Sequence, residues 1–280
     1  MHQVESVLKV PQIRQMNYFT IVLFSIISIA TVIGVPLFGY VYGYTWLDWT
    51  LFGVLYVATG LGITVGYHRL ISHRSFTCAT PVKIALLIAG GCALENSALK
   101  WCADHVRHHA KVDQEEDPYN AKKGFWYSHV LWVFLKDPYA DDKYTALFNK
   151  DKWVLWQHRY YLPIVISGLA LPFLIGFLYS GWIGGFGAFM LAGMGRTFVV
   201  LNSTFCINSI CHLWGKQPSG SLNSSRDSWW ISLITFGEGY HNYHHNHPRD
   251  YRNGPKWYNF DPSKWLIFSL FLIGLAKPIL

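Results

Sequence analysis

Four stretches of this 280-residue chain are each long and apolar enough to cross a bilayer as a helix, which takes about 20 consecutive apolar residues. They are "YFTIVLFSIISIATVIGVPLFGYV" at about 18–41, "WLDWTLFGVLYVATGLGITVG" at about 46–66, "YYLPIVISGLALPFLIGFLYSGW" at about 160–182 and "IGGFGAFMLAGMGRTFVVLNSTFC" at about 183–206. Lipid offers no partner for backbone N–H and C=O groups, so runs of this length have to be helical. The gaps inside each pair are a few residues long, and the spans are expected to form two helical hairpins. Charged residues are only 14% of the chain and aromatics are 17%, a balance that suits a membrane protein with aromatic belts at the interfaces. Residues 1–16 are polar and no cleavage-site pattern follows the first run, so that run reads as a span and not as a removed leader. Three shorter apolar runs, 84–94, 229–236 and 265–276, read as interfacial or re-entrant helices.

The basic residues give a sidedness. Of 23 Lys and Arg, two lie in 1–17, thirteen in 67–159 and seven in 207–280, with Arg196 inside the fourth span and none in either hairpin turn. An even number of crossings separates the three basic segments, and the positive-inside rule puts them, with both termini, in the cytoplasm. The net charge of +7 is therefore a topology signal with some attraction to anionic lipid. No basic helix carries base-reading residues, which argues against nucleic acid as a partner. Five cysteines without a C-x-x-C pair read as reduced, mostly buried small residues.

Thirteen histidines are present, and eight fall in three groups on that same side. His68 and His73 end the second span; "DHVRHHAK" supplies His105, His108 and His109; "GEGYHNYHH" supplies His241, His244 and His245. In each H-x-x-H-H group, positions i, i+3 and i+4 share a helix face. His68 and His73 would point about 140° apart on an ideal helix, so the helix is expected to end or loosen between them. His212, just past the fourth span with Asn208 one turn before it, is a ninth candidate. His2, His129 and His158 lack such spacing and read as polar anchors. His247 reads as solvent-facing or as a support to the neighbouring group. Converging imidazoles repel when protonated, whereas a cation makes their convergence favourable.

Nine imidazoles exceed the four ligands of one zinc ion and suit two metals with open positions. Val106 and Asn242 stand where zinc peptidase chemistry needs Glu. Iron accepts imidazole and adds redox chemistry, which favours a di-iron site; spacing alone leaves zinc and copper open. Asp104 and Glu238 are the nearby carboxylates expected to orient the ligands. Apart from an enzyme that activates dioxygen, a metal transporter or sensor fits such clusters, but a transporter should carry its ligands at mid-membrane.

The motifs "GITVGYHRLISHRSF" (62–76), "WCADHVRHHAKVDQEEDPYN" (101–120), "GFWYSHVLW" (124–132), "NSICHLWG" (208–215) and "GEGYHNYHH" (237–245) resemble the membrane-bound fatty-acyl desaturases of the stearoyl-CoA (delta-9) type, over about 46–262. The resemblance implies an all-α integral membrane protein. It has four transmembrane helices as two hairpins, and a cytoplasmic helical cap (67–159 and 207–280) holds a di-metal site. Residues 1–280 then form a single desaturase domain. It implies that His68, His73, His105, His108, His109, His212, His241, His244 and His245 ligate two iron ions, with Asn208 reaching one through water. It implies dioxygen-dependent formation of a cis double bond in a long saturated acyl chain. Asn96 and Trp101 then lie near the substrate entrance, and the residue at Gly60 influences tunnel depth.

The chain departs from that family at Ala103, where many members have Arg; at Lys136-Asp137, where many have two basic residues; and at Phe205, where many have Trp. The first two positions are associated with CoA phosphates in the family, which leaves CoA, a phospholipid or a carrier protein as the head group, with Lys136 the remaining cation. "HPRD" at 247–250 lacks the glycines of a fused haem-binding segment, so electrons are expected from an external ferredoxin- or cytochrome-type donor on the basic face.

Overall fold

The computed structural model describes residues 14–140 and 142–279. Three helical runs are long and apolar enough to cross a membrane: α1 (Tyr18–Val41), α2 (Trp46–Ser72) and a 53-residue run, Tyr161–Leu213. Around their ends lie α3 (Thr80–Gly91), α4 (Ala98–Lys111) and α5 (Lys152–Arg159). The long run Tyr161–Leu213 is α6, and α7 (His241–Asn246) and α8 (Pro262–Leu272) follow it.

Capping fixes the starts of the spans. The Asn17 side chain accepts the Thr20 N–H, and Thr45 and Asp48 form a reciprocal capping box at the head of α2. α1 shows Phe19, Val22, Ile29, Val32 and Leu37 to its surroundings, each more than half exposed. Such an all-round apolar face is stable only when lipid covers it.

The run Tyr161–Leu213 would be about 80 Å long if straight, well over twice a bilayer core. It reverses at Ser180 (φ −142°, ψ 24°) and Gly181 (φ 66°, ψ −156°), the latter a conformation that favours glycine. Phe173 then packs on Trp182 and Phe186 at 6.0 and 5.4 Å between ring centroids. Arg196 reaches back to the carbonyl of Gly168. The hairpin turn thus falls about two residues before the expected boundary at 182/183. Arg196 is fully buried. Its guanidinium donates to the carbonyls of Cys92 (2.7 Å), Ala192 (3.3 Å) and Gly168 (3.4 Å). It caps the carboxyl end of α3, where a cation meets the negative end of the helix dipole.

The second half of α2, Gly62–Ser72, is wound as a π-helix. A side chain at Gly62 would collide with the backbone of α3 at Ala89 and Gly90, so the bare backbone lets the two helices touch. The π winding gives the bond His73 N–H to His68 carbonyl, 3.1 Å, and stacks position i+5 over position i. The expected loosening between the two histidines is this change of pitch.

One short strand pair interrupts an otherwise mostly helical fold. β1 (Phe76–Cys78) pairs antiparallel with β2 (Ala276–Pro278), Thr77 opposite Lys277. The run 265–276 is therefore the end of α8, a turn and the first residue of β2. α8 starts at Pro262 behind an Asp261 N-cap, buries Ile267 and Leu270, and leaves Trp265, Phe268 and Leu272 exposed. All five cysteines are free.

Candidate metal centre and cavity

The nine histidines singled out by spacing come together in two groups. One holds His68, His73, His105, His109 and His244, and the other His108, His212, His241 and His245; within each, the ligand atoms lie within 4.8 Å of one another. Each H-x-x-H-H segment serves both groups. On α4, the i,i+4 pair His105 and His109 joins the first while His108 joins the second; on α7, His241 and His245 join the second while His244 joins the first. The two boxes therefore interlock.

The spacing of the nitrogens fits cations. Nε2 of His244 lies 3.0 Å from Nε2 of both His68 and His109. Nε2 of His241 lies 3.1 Å from Nε2 of both His212 and His245, and His73 and His105 meet at 2.7 Å. An imidazole Nε2 has one proton or one lone pair, so it cannot hydrogen-bond two such neighbours at once. Two nitrogens bound at right angles to a metal at roughly 2.1 Å sit about 3.0 Å apart. His108 Nε2 is buried with no hydrogen-bond partner among the described residues, as a lone pair reserved for a cation would be. Burial, and then the neighbouring imidazoles, hold His73, His105, His109, His241, His244 and His245 below the usual histidine value. They are neutral donors at neutral pH.

Carboxylates orient the rings, though only partly those expected. Glu238 Oε2 lies 3.0 Å from His68 Nδ1 and its other oxygen 3.0 Å from Arg69; Asn253 also donates to it. Arg69 in turn pairs with Asp261 at 3.0 Å. Burial raises the Glu238 carboxyl, but His68 and Arg69 outweigh it and the net shift is downward. Asp104 does not orient His105: it pairs with Arg107 at 3.0 Å, and Arg107 also bonds Asp137. The carboxylate that sequence reading missed is Asp117, 2.8 Å from His108 Nδ1. It stands in the acidic loop "DQEED", which as a string looks like any solvated turn.

A pocket runs along α2 from Tyr56 and Gly60 to His68, and is also lined by Trp101, Thr204 and Phe236. His105, His108, His241 and Asn208 also face it. Trp101 stacks on His105 at 5.0 Å, and its indole N–H donates to Glu95 at 3.1 Å. The Thr204 hydroxyl donates to the other Glu95 oxygen at 2.7 Å. Burial pushes the Glu95 carboxyl up to about 7. Glu95 is a second residue that motif reading missed. A side chain on Gly60 would meet the Phe236 ring. Asn96 stands outside the cavity wall, its backbone N–H donating to the Tyr161 hydroxyl at 2.9 Å. Lys136 is exposed and also outside it, with Nζ 3.3 Å from Gln15 Oε1. His129 binds Ser209, His158 binds Ser97, and His247 is exposed.

Long apolar helices whose ends gather two histidine clusters beside an apolar pocket define a helical membrane protein with side chains that could hold metal. The pattern of the family described as "Fatty acid desaturase" matches residues 44–268, and the chain belongs to that family. It is 40% identical over 263 residues to acyl-CoA desaturase 1 of Saccharomyces cerevisiae, covering 89% of this chain and 50% of that protein. It is 35% identical to the sn-2 palmitoyl-lipid 9-desaturase of a Nostoc species, over 83% of this chain and 82% of that one. To human stearoyl-CoA desaturase it is 35% identical, over 91% and 72%. The chain spans about half the length of the two yeast relatives it matches.

Proposed function

We propose that the chain is a dioxygen-dependent acyl desaturase that places a cis double bond, at the delta-9 position, in a long saturated acyl chain carried on CoA or on a lipid. One observation carries the reading: nine imidazoles, with no thiolate among them, meet in two groups at the end of an apolar cavity. Two iron ions suit that donor set. Bound there, they supply the means of activating dioxygen against an unactivated C–H bond. One dioxygen, two electrons, two protons and the two hydrogens removed from neighbouring methylenes leave as two waters, so a reductant is required. An external ferredoxin- or cytochrome-type donor fills that role.

The chain's own residues position and shield. Gly60, Trp101 and Thr204 hold the acyl chain along α2 so that one C–C bond lies beside His68, His105 and His241. The apolar wall keeps water from that bond. Asn96 lies on the head-group side, and Lys136, outside the wall, contacts a head group only. Asn208 faces the cavity and reaches one of the irons through water. The fold reading that accompanies this is four crossings as two hairpins in one domain. Segments 67–159 and 207–280 cap the cytoplasmic side, as the reversal at Ser180 and the placement of Lys and Arg support.

Expression in a host that makes no unsaturated fatty acids tests the reading, with fatty-acid analysis of its lipids. A new cis double bond that disappears with His108→Ala and with His244→Ala is expected. A hydroxylated product, or an unchanged profile from the wild type, overturns it.

A further inference from the structure

The four-histidine group is anchored by a short loop that follows α4, and one of its anchors acts through another side chain. Asp117 takes His108 Nδ1 at 2.8 Å and is itself held by the backbone N–H groups of Tyr119 (3.0 Å) and Asp113 (3.1 Å). Asp113 accepts both the N–H of Ser224 (2.8 Å) and its hydroxyl (2.6 Å). Ser224 Oγ lies 2.8 Å from His212 Nδ1. A serine hydroxyl has one proton. Ser224 gives it to Asp113, so its oxygen can only accept from His212. Nδ1 of His212 then carries the hydrogen and Nε2 the lone pair. Nε2 is the atom 3.1 Å from Nε2 of His241, inside the group. Asp113 has φ 66°, a left-handed conformation that persists in a non-glycine residue when its surroundings hold it there.

We propose that Asp113 is a positioning residue for the four-histidine site. It fixes the tautomer and direction of His212 through Ser224, so that the Asp113–Asp117 loop holds this metal separately from the one at the five-histidine site. The inference rests on the two-metal reading above. In the five-histidine group the anchoring carboxylate is Glu238, on His68, from a different segment and with its charge shared by Arg69. Loss of an outer partner of a ligating histidine typically lowers metal affinity by about 10–100-fold, and here the loss should fall on one site of two.

The test uses the full-length protein reconstituted anaerobically with isotopically enriched ferrous iron. Iron content is read after dialysis against a weak chelator, and the two sites are read by Mössbauer spectroscopy. Ser224→Ala is expected to lose one iron and one of two ferrous signals, with Asp113→Asn shifted the same way. Ser224→Thr, which keeps the hydroxyl, should match wild type. Asp104→Asn, which removes a carboxylate paired with Arg107, should keep both irons. The inference is overturned if Ser224→Ala and Asp113→Asn both hold two irons at wild-type affinity, or if both irons leave together. It is equally overturned if Ser224→Thr fails like Ser224→Ala, or if iron loss merely tracks a lower melting temperature of the metal-free variants. A wild-type protein that never takes up two irons refutes the two-metal reading instead.

Discussion

The rings of His109 and His245 stack face to face at 4.2 Å between centroids, yet His109 belongs to the five-histidine group and His245 to the four-histidine group. The contact is where the two boxes interlock, and it puts the two histidine groups side by side.

His109→Ala and His245→Ala should therefore each remove a different metal, although the two residues touch. Iron per chain is expected to fall from two toward one in either variant, and desaturation to be lost in both. Metal analysis with single-site spectroscopy checks this; loss of the same signal in both would show that the groups are not separate sites.

Glu238 holds His68 and neutralises the buried Arg69. Glu238→Gln leaves Asp261 as the remaining carboxylate on Arg69 among the described residues, beside its bond to the Tyr251 carbonyl. Breaking one partner of a buried pair typically costs about 3–5 kcal/mol, and metal affinity at the five-histidine group should fall about 10–100-fold. Denaturant unfolding of the metal-free protein and iron titration measure the two effects, and wild-type values in both would contradict the arrangement.

Glu95 gives a pH dependence with a definite sign. Its carboxyl is raised by burial from 4.5 to about 7 in the folded chain, so the folded state binds a proton that the unfolded state has released across that window. Stability is therefore lost as pH rises from about 4.5 to about 7. Glu95→Gln should remove that component, so that its melting temperature gains on wild type between pH 5 and pH 8. A constant difference between the two proteins over that range would place the carboxyl elsewhere in the titration.

Gly60 lines the cavity where a side chain would meet Phe236. Gly60→Ile must displace that ring and shorten the space along α2. Product chain lengths in the expression host should shift toward shorter acyl groups; an unchanged distribution would show that Gly60 serves helix packing alone.

The apolar runs, the positions of the histidines and the pairing of i, i+3 and i+4 on one helix face were all legible in the sequence, because they depend only on helix period and bilayer thickness. What the periods could not say is which group each imidazole joins. One face of α4 sends His105 and His109 to one group and His108 to the other, a division set by where α2, α6 and α7 approach it. The π winding that joins His68 to His73 begins at Gly62, where α2 touches α3, a contact no local period announces. The supporting residues were hidden for the same reason. Asp117 sits nine residues past His108, and Ser224 lies 111 residues from Asp113; no local spacing links such partners. Sequence by itself determined the set of histidines that could gather and the membrane-length helices. Only tertiary packing decided the grouping, the tautomers and the shape of the cavity, because those are distances between segments and not along one.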